Sequence, residues 1–230
     1  MADAWQESRL TIGFREFRDL QCHNGSMRWR SRPSPTDPTH DDNWHGSYYE
    51  LAIKLGPAND SRLEAALTAL WDGARLGEPF RRDGSNDVAL TAPALLGGHL
   101  NSVANIPGLG STLASVIVVR EEFDEAGRAV LGSDWLDLCL PLGALGNLDQ
   151  RVGAYPFDDD SDSKAWRQPI EDWFAAIAAA VFAVVPFEYA ITGEEVSGIE
   201  PSDQTRGRVG VFRPGVDGSL EVEPVSVWSW

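Results

Sequence analysis

An α+β fold is what this sequence predicts: a largely antiparallel sheet with two main helices, at about 61–73 and 167–185, packed on one face. Three observations predict it. Residues 173–187 carry no polar side chain, and Ile170, Trp173, Phe174, Ile177, Val181, Val184 and Val185 recur at i, i+3, i+4 and i+7. Several segments alternate apolar and polar residues with the period of two that a strand requires. These strand patterns are grouped between the two helical ones, an order that favours an α+β layer over a doubly wound parallel sheet.

Taken in chain order, residues 10–17 (LTIGFREF) alternate as a strand. Residues 31–46 hold three prolines and no periodicity, so they read as an irregular loop. Residues 48–55 give the cleanest strand, with Tyr49, Leu51, Ile53 and Leu55 on one side and Glu50 and Lys54 on the other. The first helix follows. Ser61-Arg62-Leu63-Glu64 fits a capping box, Leu63, Leu67, Leu70 and Trp71 form its buried stripe, and Gly73 suits its C′ position.

Residues 75–98 are rich in Gly, Pro and Arg and read as irregular, and residues 99–106 and 113–120 read as a hairpin about Gly108. Leu136, Leu138, Leu140 and Leu142 alternate with Asp137 and Cys139, one buried face of a further strand. Asp158, Asp159, Asp160 and Asp162 mark an acidic loop. Pro169 then fits the first turn of the long helix, where Glu171 and Asp172 suit the positive end of its dipole. Opposite its apolar stripe lie Ala175, Ala176, Ala179, Ala180 and Ala183, so the helix is expected to be dry all round, its alanines admitting a neighbour at close range. Pro186 ends it, Phe187, Tyr189 and Ile191 begin a strand, and residues 209–212 and 220–230 suggest a closing hairpin. One domain over 1–230 is the simplest organisation at this length.

Composition narrows the function classes. The net charge is −16, nearly all of it on residues 47–230, and a surface this acidic repels a phosphate backbone. A basic protein is the expected partner and nucleic acid is not, although Arg28-Trp29-Arg30-Ser31-Arg32 interleaves cations with an aromatic ring. The apolar helix falls short of the roughly 20 residues that a membrane span needs, and residues 1–7 lack the basic and apolar regions of a signal peptide. A cytoplasmic protein without membrane partners is the reading that follows. Lys54 and Lys164 are the only lysines, an Arg-rich usage that points to a GC-rich, bacterial genome. Two cysteines, Cys22 and Cys139, are too few for a disulfide framework, and no cofactor is expected.

Candidate chemistry is sparse. His40, Asp41, Asp42 and His45 bring imidazole and carboxylate together, ligand types for zinc, iron or manganese, but the histidines are not at the i, i+4 spacing of one helical face. Counted as an EF-hand loop from Asp158, the acidic run has Ser163 and Pro169 where glycine and glutamate are required. Cys22-His23 are adjacent only in sequence, and no Gly-x-Ser-x-Gly elbow or phosphate-binding loop occurs. The balance leans away from an enzyme. It favours an acidic partner-binding protein of the inhibitor or immunity kind, masking a basic effector through Asp158, Asp159, Asp160, Asp162, Glu121, Glu122, Glu194 and Glu195. The alternative is a metal-dependent hydrolase built on His40, Asp41, Asp42 and His45, and self-association through the alanine face stays open.

Overall fold

The computed structural model describes residues 32–123, 129–152, 161–202 and 209–223, with backbone alone at 121–123, 129–131 and 161–164. Arg32–Trp230 forms one compact unit. The strand expected at 10–17, together with Cys22, His23 and Arg28, lies outside the described residues.

A 3₁₀ turn (Asp41–Trp44) precedes β1 (Tyr48–Pro57), α1 (Asp60–Ala74), α2 (Ala92–Leu96), β2 (Leu100–Ile106), β3 (Gly110–Phe123) and β4 (Ala129–Pro141). Then come α3 (Leu142–Leu148), α4 (Ser161–Val184), β5 (Tyr189–Glu194), β6 (Gly210–Pro214) and β7 (Leu220–Glu223). The strands make one seven-stranded antiparallel sheet in the order β2-β3-β4-β1-β5-β6-β7. Two helices and the β2–β3 hairpin separate β1 from β4, and β5 follows only after α4, so the central place of β1 rests on non-local pairing alone.

The alternation of β1 does what its pattern requires on one side. Tyr49, Leu51, Ile53 and Leu55 join Leu136, Leu138 and Leu140 of β4 against Leu63, Leu67 and Leu70 of α1 and Ile170, Phe174, Ile177 and Val181 of α4. Both main helices therefore lie on the same sheet face. Trp71, Trp135 and Trp173 are all buried, as their places on apolar stripes imply.

Local details of α1 differ from the expectation. Its N-cap is Asn59, whose side chain accepts from the Arg62 amide at 2.9 Å, so no capping box forms at Ser61. Glu64 Oε2 instead accepts from the Ala92 amide at 3.1 Å and ties down α2, a short helix inside the segment expected to be irregular. Gly73 is not the left-handed cap. That conformation falls to Arg75 (φ 51°), and Gly73 lies inside the helix, where a Cβ would sit 3.0 Å from the Ala180 Cβ of α4. The glycine is spent on helix–helix approach.

The long helix begins at Ser161, which places Pro169 inside it and Glu171 and Asp172 away from its positive end. An interior proline costs about 3 kcal/mol. Full burial of a large apolar side chain returns roughly 1.5–3 kcal/mol, and the extra turns bury Trp166 completely alongside Ile170. The added stripe offsets the broken hydrogen bond. Leu142 likewise leaves the strand pattern and opens α3.

The expectation of a dry helix is overturned. Ala176, Ala179 and Ala183 are exposed, and Val184 is 59% exposed. A helix laid on a sheet buries one stripe, and α1 covers only the flank at Gly73 and Ala180. A methyl group buries too little area to bring another element over the remainder.

Candidate functional site

The polar side of β1 is not a solvated face. Asn101, Ser115, Cys139, Glu50 and Gly193 stand opposite one another across five successive strands. Asn101, Ser115, Cys139 and Glu50 are each less than 5% exposed. Ser115 Oγ donates to Asn101 Oδ1 at 2.6 Å, and the Cys139 thiol donates to Glu50 Oε2 at 3.4 Å. One step along, Asp137 is completely buried opposite Ala52 and Ile117.

The cover over this row is the segment after β5. Val196 packs with Ala52, Trp135, Ile191, Val209 and Val211. The Ser197 amide donates to Glu50 Oε1 at 2.8 Å, and its hydroxyl donates to Asp137 Oδ2 at 2.6 Å. Among the described residues, Asp137 Oδ1 has no hydrogen-bond partner. Burial pushes Asp137 up to about 8, opposed by the Ser197 hydroxyl. Burial also raises Glu50, and it pushes the Cys139 thiol well up. A protonated thiol is a poor nucleophile, and these groups are closed to a substrate. At the Glu50 and Asp137 end the row pins this segment to the sheet.

The His40–His45 region is a docked structure. Asn43 and Trp44 are buried, Asn147 of α3 donates to Asn43 Oδ1 at 2.8 Å, and the Gly143 amide donates to the His45 carbonyl at 3.0 Å. A Cβ on Gly143 would lie 2.1 Å from the Asp42 carbonyl oxygen, so only glycine lets α3 seat against the turn. Asp42 stands between His40 (3.7 Å) and His45 (3.8 Å), and Asp41 lies in the same turn. His40 Nδ1 accepts from the Asp42 amide at 3.3 Å, which occupies one of the nitrogens a metal would need. Among the described residues no group of three or more His, Cys, Asp or Glu is placed to hold a metal ion.

Of the acidic residues expected at an interface, those described belong to different elements. Asp158, Asp159 and Asp160 lie outside the described residues, and Asp162 falls in the first turn of α4. Glu121 and Glu122 sit at the far end of β3, paired with Leu131 and Val130. Glu194 is half-buried, accepts from Ser47 Oγ, and has its carboxyl raised by burial. Glu195 is exposed in a left-handed conformation (φ 49°).

A different acidic surface is present on the outer side of the helical layer. The exposed charged side chains described within α1 and α4 are Asp60, Glu64, Asp72 and Asp172, all carboxylates, of which Asp60 is paired with Arg120 at 2.6 Å; the cap residue Arg75 is exposed just beyond α1. Arg62 turns back to the Pro57 carbonyl, and Arg167 is buried. Between the carboxylates lie Ala65, Ala69 and Val184, which line a shallow groove of about 480 Å³ with Ser61, Glu64, Thr68 and Asp72. The exposed alanines of α4 adjoin it in sequence. The sequence offers the alanine face only as a buried flank or a self-association surface, without the carboxylates beside it. The signal was available, since Asp60, Glu64 and Asp72 recur at helical spacing.

Among the described residues no helix is long and apolar enough to cross a membrane. No protein-family model, curated protein or solved structure matches this chain.

Proposed function

We propose that this is an acidic, non-enzymatic binding protein of the inhibitor or immunity kind, which masks a basic partner with the outer face of α1 and α4. One observation carries the reading: Glu64, Asp72 and Asp172 are exposed carboxylates beside the exposed alanines and Val184. An apolar strip rimmed by one sign of charge gives area for contact and a field that steers an oppositely charged protein. The same rim disfavours a second copy, because two such faces would oppose like charges. The hydrolase alternative gains nothing from the geometry of His40, Asp41, Asp42 and His45.

The test starts from the full chain used as bait, with the retained protein identified and its association rate measured. The reading expects a basic partner whose association slows as salt rises. Replacing both Asp72 and Asp172 by lysine should lower that rate at least about ten-fold, with an unchanged melting temperature because both side chains are exposed. A partner whose association ignores both salt and charge reversal removes the proposal.

A further inference from the structure

On the sheet face away from α1 and α4, a cleft of about 390 Å³ opens over the β2–β3 end of the polar row. That volume lies within the range of small-molecule sites. Its floor is neutral and buried: Asn101 and Ser115 are each 3% exposed. The Asn101 Oδ1 accepts from Ser115, while among the described residues its Nδ2 donates only to the Phe80 carbonyl, at 3.4 Å, which leaves donor capacity at the floor.

The walls bring cationic and aromatic groups together in a chain of net charge −16. Arg81 holds the architecture, its guanidinium donating to the His99 and Ala94 carbonyls at 2.6 Å each. Arg82 is exposed, and its guanidinium lies 5.2 Å from the Trp44 ring centre. That contact orients the guanidinium and leaves its N–H donors unspent. Tyr48 and His99 have side-chain polar atoms without a hydrogen bond among the described residues, and both line the cleft. The acidic residue among the described lining, Asp83, is exposed, and its Oδ1 is engaged on its own loop, accepting from the Ser85 amide at 2.9 Å and the Ser85 hydroxyl at 2.7 Å.

We propose that the cleft walled by Trp44, Tyr48, Arg82 and His99 and floored by Asn101 and Ser115 binds a small organic anion. Arg82 and His99 take its acidic group, and Asn101 meets a carbonyl or hydroxyl on its body. A forked guanidinium suits a carboxylate or a phosphate alike. Burial of the floor polar pair beneath an open cleft gives the site direction as well as charge. It faces away from the acidic helical surface and stands or falls independently of the partner-binding reading.

The full chain is titrated separately with benzoate and with inorganic phosphate at low salt, following the indole and side-chain amide signals of ¹⁵N-labelled protein. Saturable shifts confined to the Trp44 indole and the Asn101 amide are expected, and the anion that saturates first identifies the acidic group. Arg82→Ala, an exposed change that leaves the fold intact, should weaken binding at least about ten-fold. Ser115→Ala, which keeps the charges, should weaken it less. No saturable shift with either anion, or saturation that Arg82→Ala leaves unchanged, overturns the proposal.

Discussion

The two faces of the sheet are built from the same strands and settled by opposite means. On the helical side, residues such as Leu51, Ile53, Leu138 and Phe174 exclude water by apolar contact alone. On the other side, Glu50, Asp137 and Cys139 are just as inaccessible, yet they are sealed by a short segment whose hold is largely polar. Apolar packing is indifferent to pH and stays dry without hydrogen bonds. A buried carboxyl must instead be neutral or well solvated by donors, and among the described residues Asp137 has only Ser197. The comparison teaches that burial is a property of what covers a strand and cannot be read from its polar residues.

The largest effect expected from this contrast is on the helical side. Phe174→Ala should cost about 3–5 kcal/mol, because the ring is fully buried and stacks on Tyr49 and Trp173. Urea unfolding measures it, and a cost near that of a surface substitution would mean the helix is not the centre of the core.

The polar side should show itself through pH. Asp137 has its folded value raised to about 8 from an ordinary 3.8, so the folded state holds a proton that the unfolded chain has released. The stabilising contribution is whole below about pH 4 and is lost as pH rises toward 8, with a slope of up to about 1.4 kcal/mol per pH unit. Asp137→Asn should flatten that slope, and Phe174→Ala should leave it in place. Unfolding midpoints taken between these limits decide the matter; a slope that survives Asp137→Asn assigns it to other groups, Glu50 first.

The smallest effect sharpens the account of the helix pair. Gly73→Ala gains about 0.5–1 kcal/mol of helix propensity, but its Cβ meets Ala180 at 3.0 Å. Overpacking of this kind costs about 1–3 kcal/mol, so a net loss near 1 kcal/mol is expected. A net gain in thermal stability would show that the two helices slide apart easily.

Much of this was legible in the chain. The periods of residues 48–55, 113–120 and 136–140 located three central strands, and the i, i+3, i+4 recurrence located both long helices. Gly215 and Gly218 lie in the turn joining β6 to β7, where the expected closing hairpin forms. Boundaries were less legible where one residue serves two purposes. Gly73 reads as a cap by propensity and acts as a spacer by contact. Pro169 reads as a helix start, and the burial of Trp166 beyond it carries the helix further back.

The candidate surfaces were less visible still. The six residues of the anion cleft come from the 3₁₀ turn, β1, β2, β3 and two loops, and no local spacing joins them. The acidic face depends on which side of α4 is left uncovered, which the identical alanines on its flank do not announce.

By itself the sequence determined the type and apolar side of the two long helices and the central strands, because backbone periodicity and side-chain polarity are local properties. Only the tertiary structure decided that β1 is central, that Glu50 and Asp137 are sealed, and that the alanine flank meets water. Those outcomes depend on which distant segment covers which surface, and covering is settled by the competition of all buried areas at once.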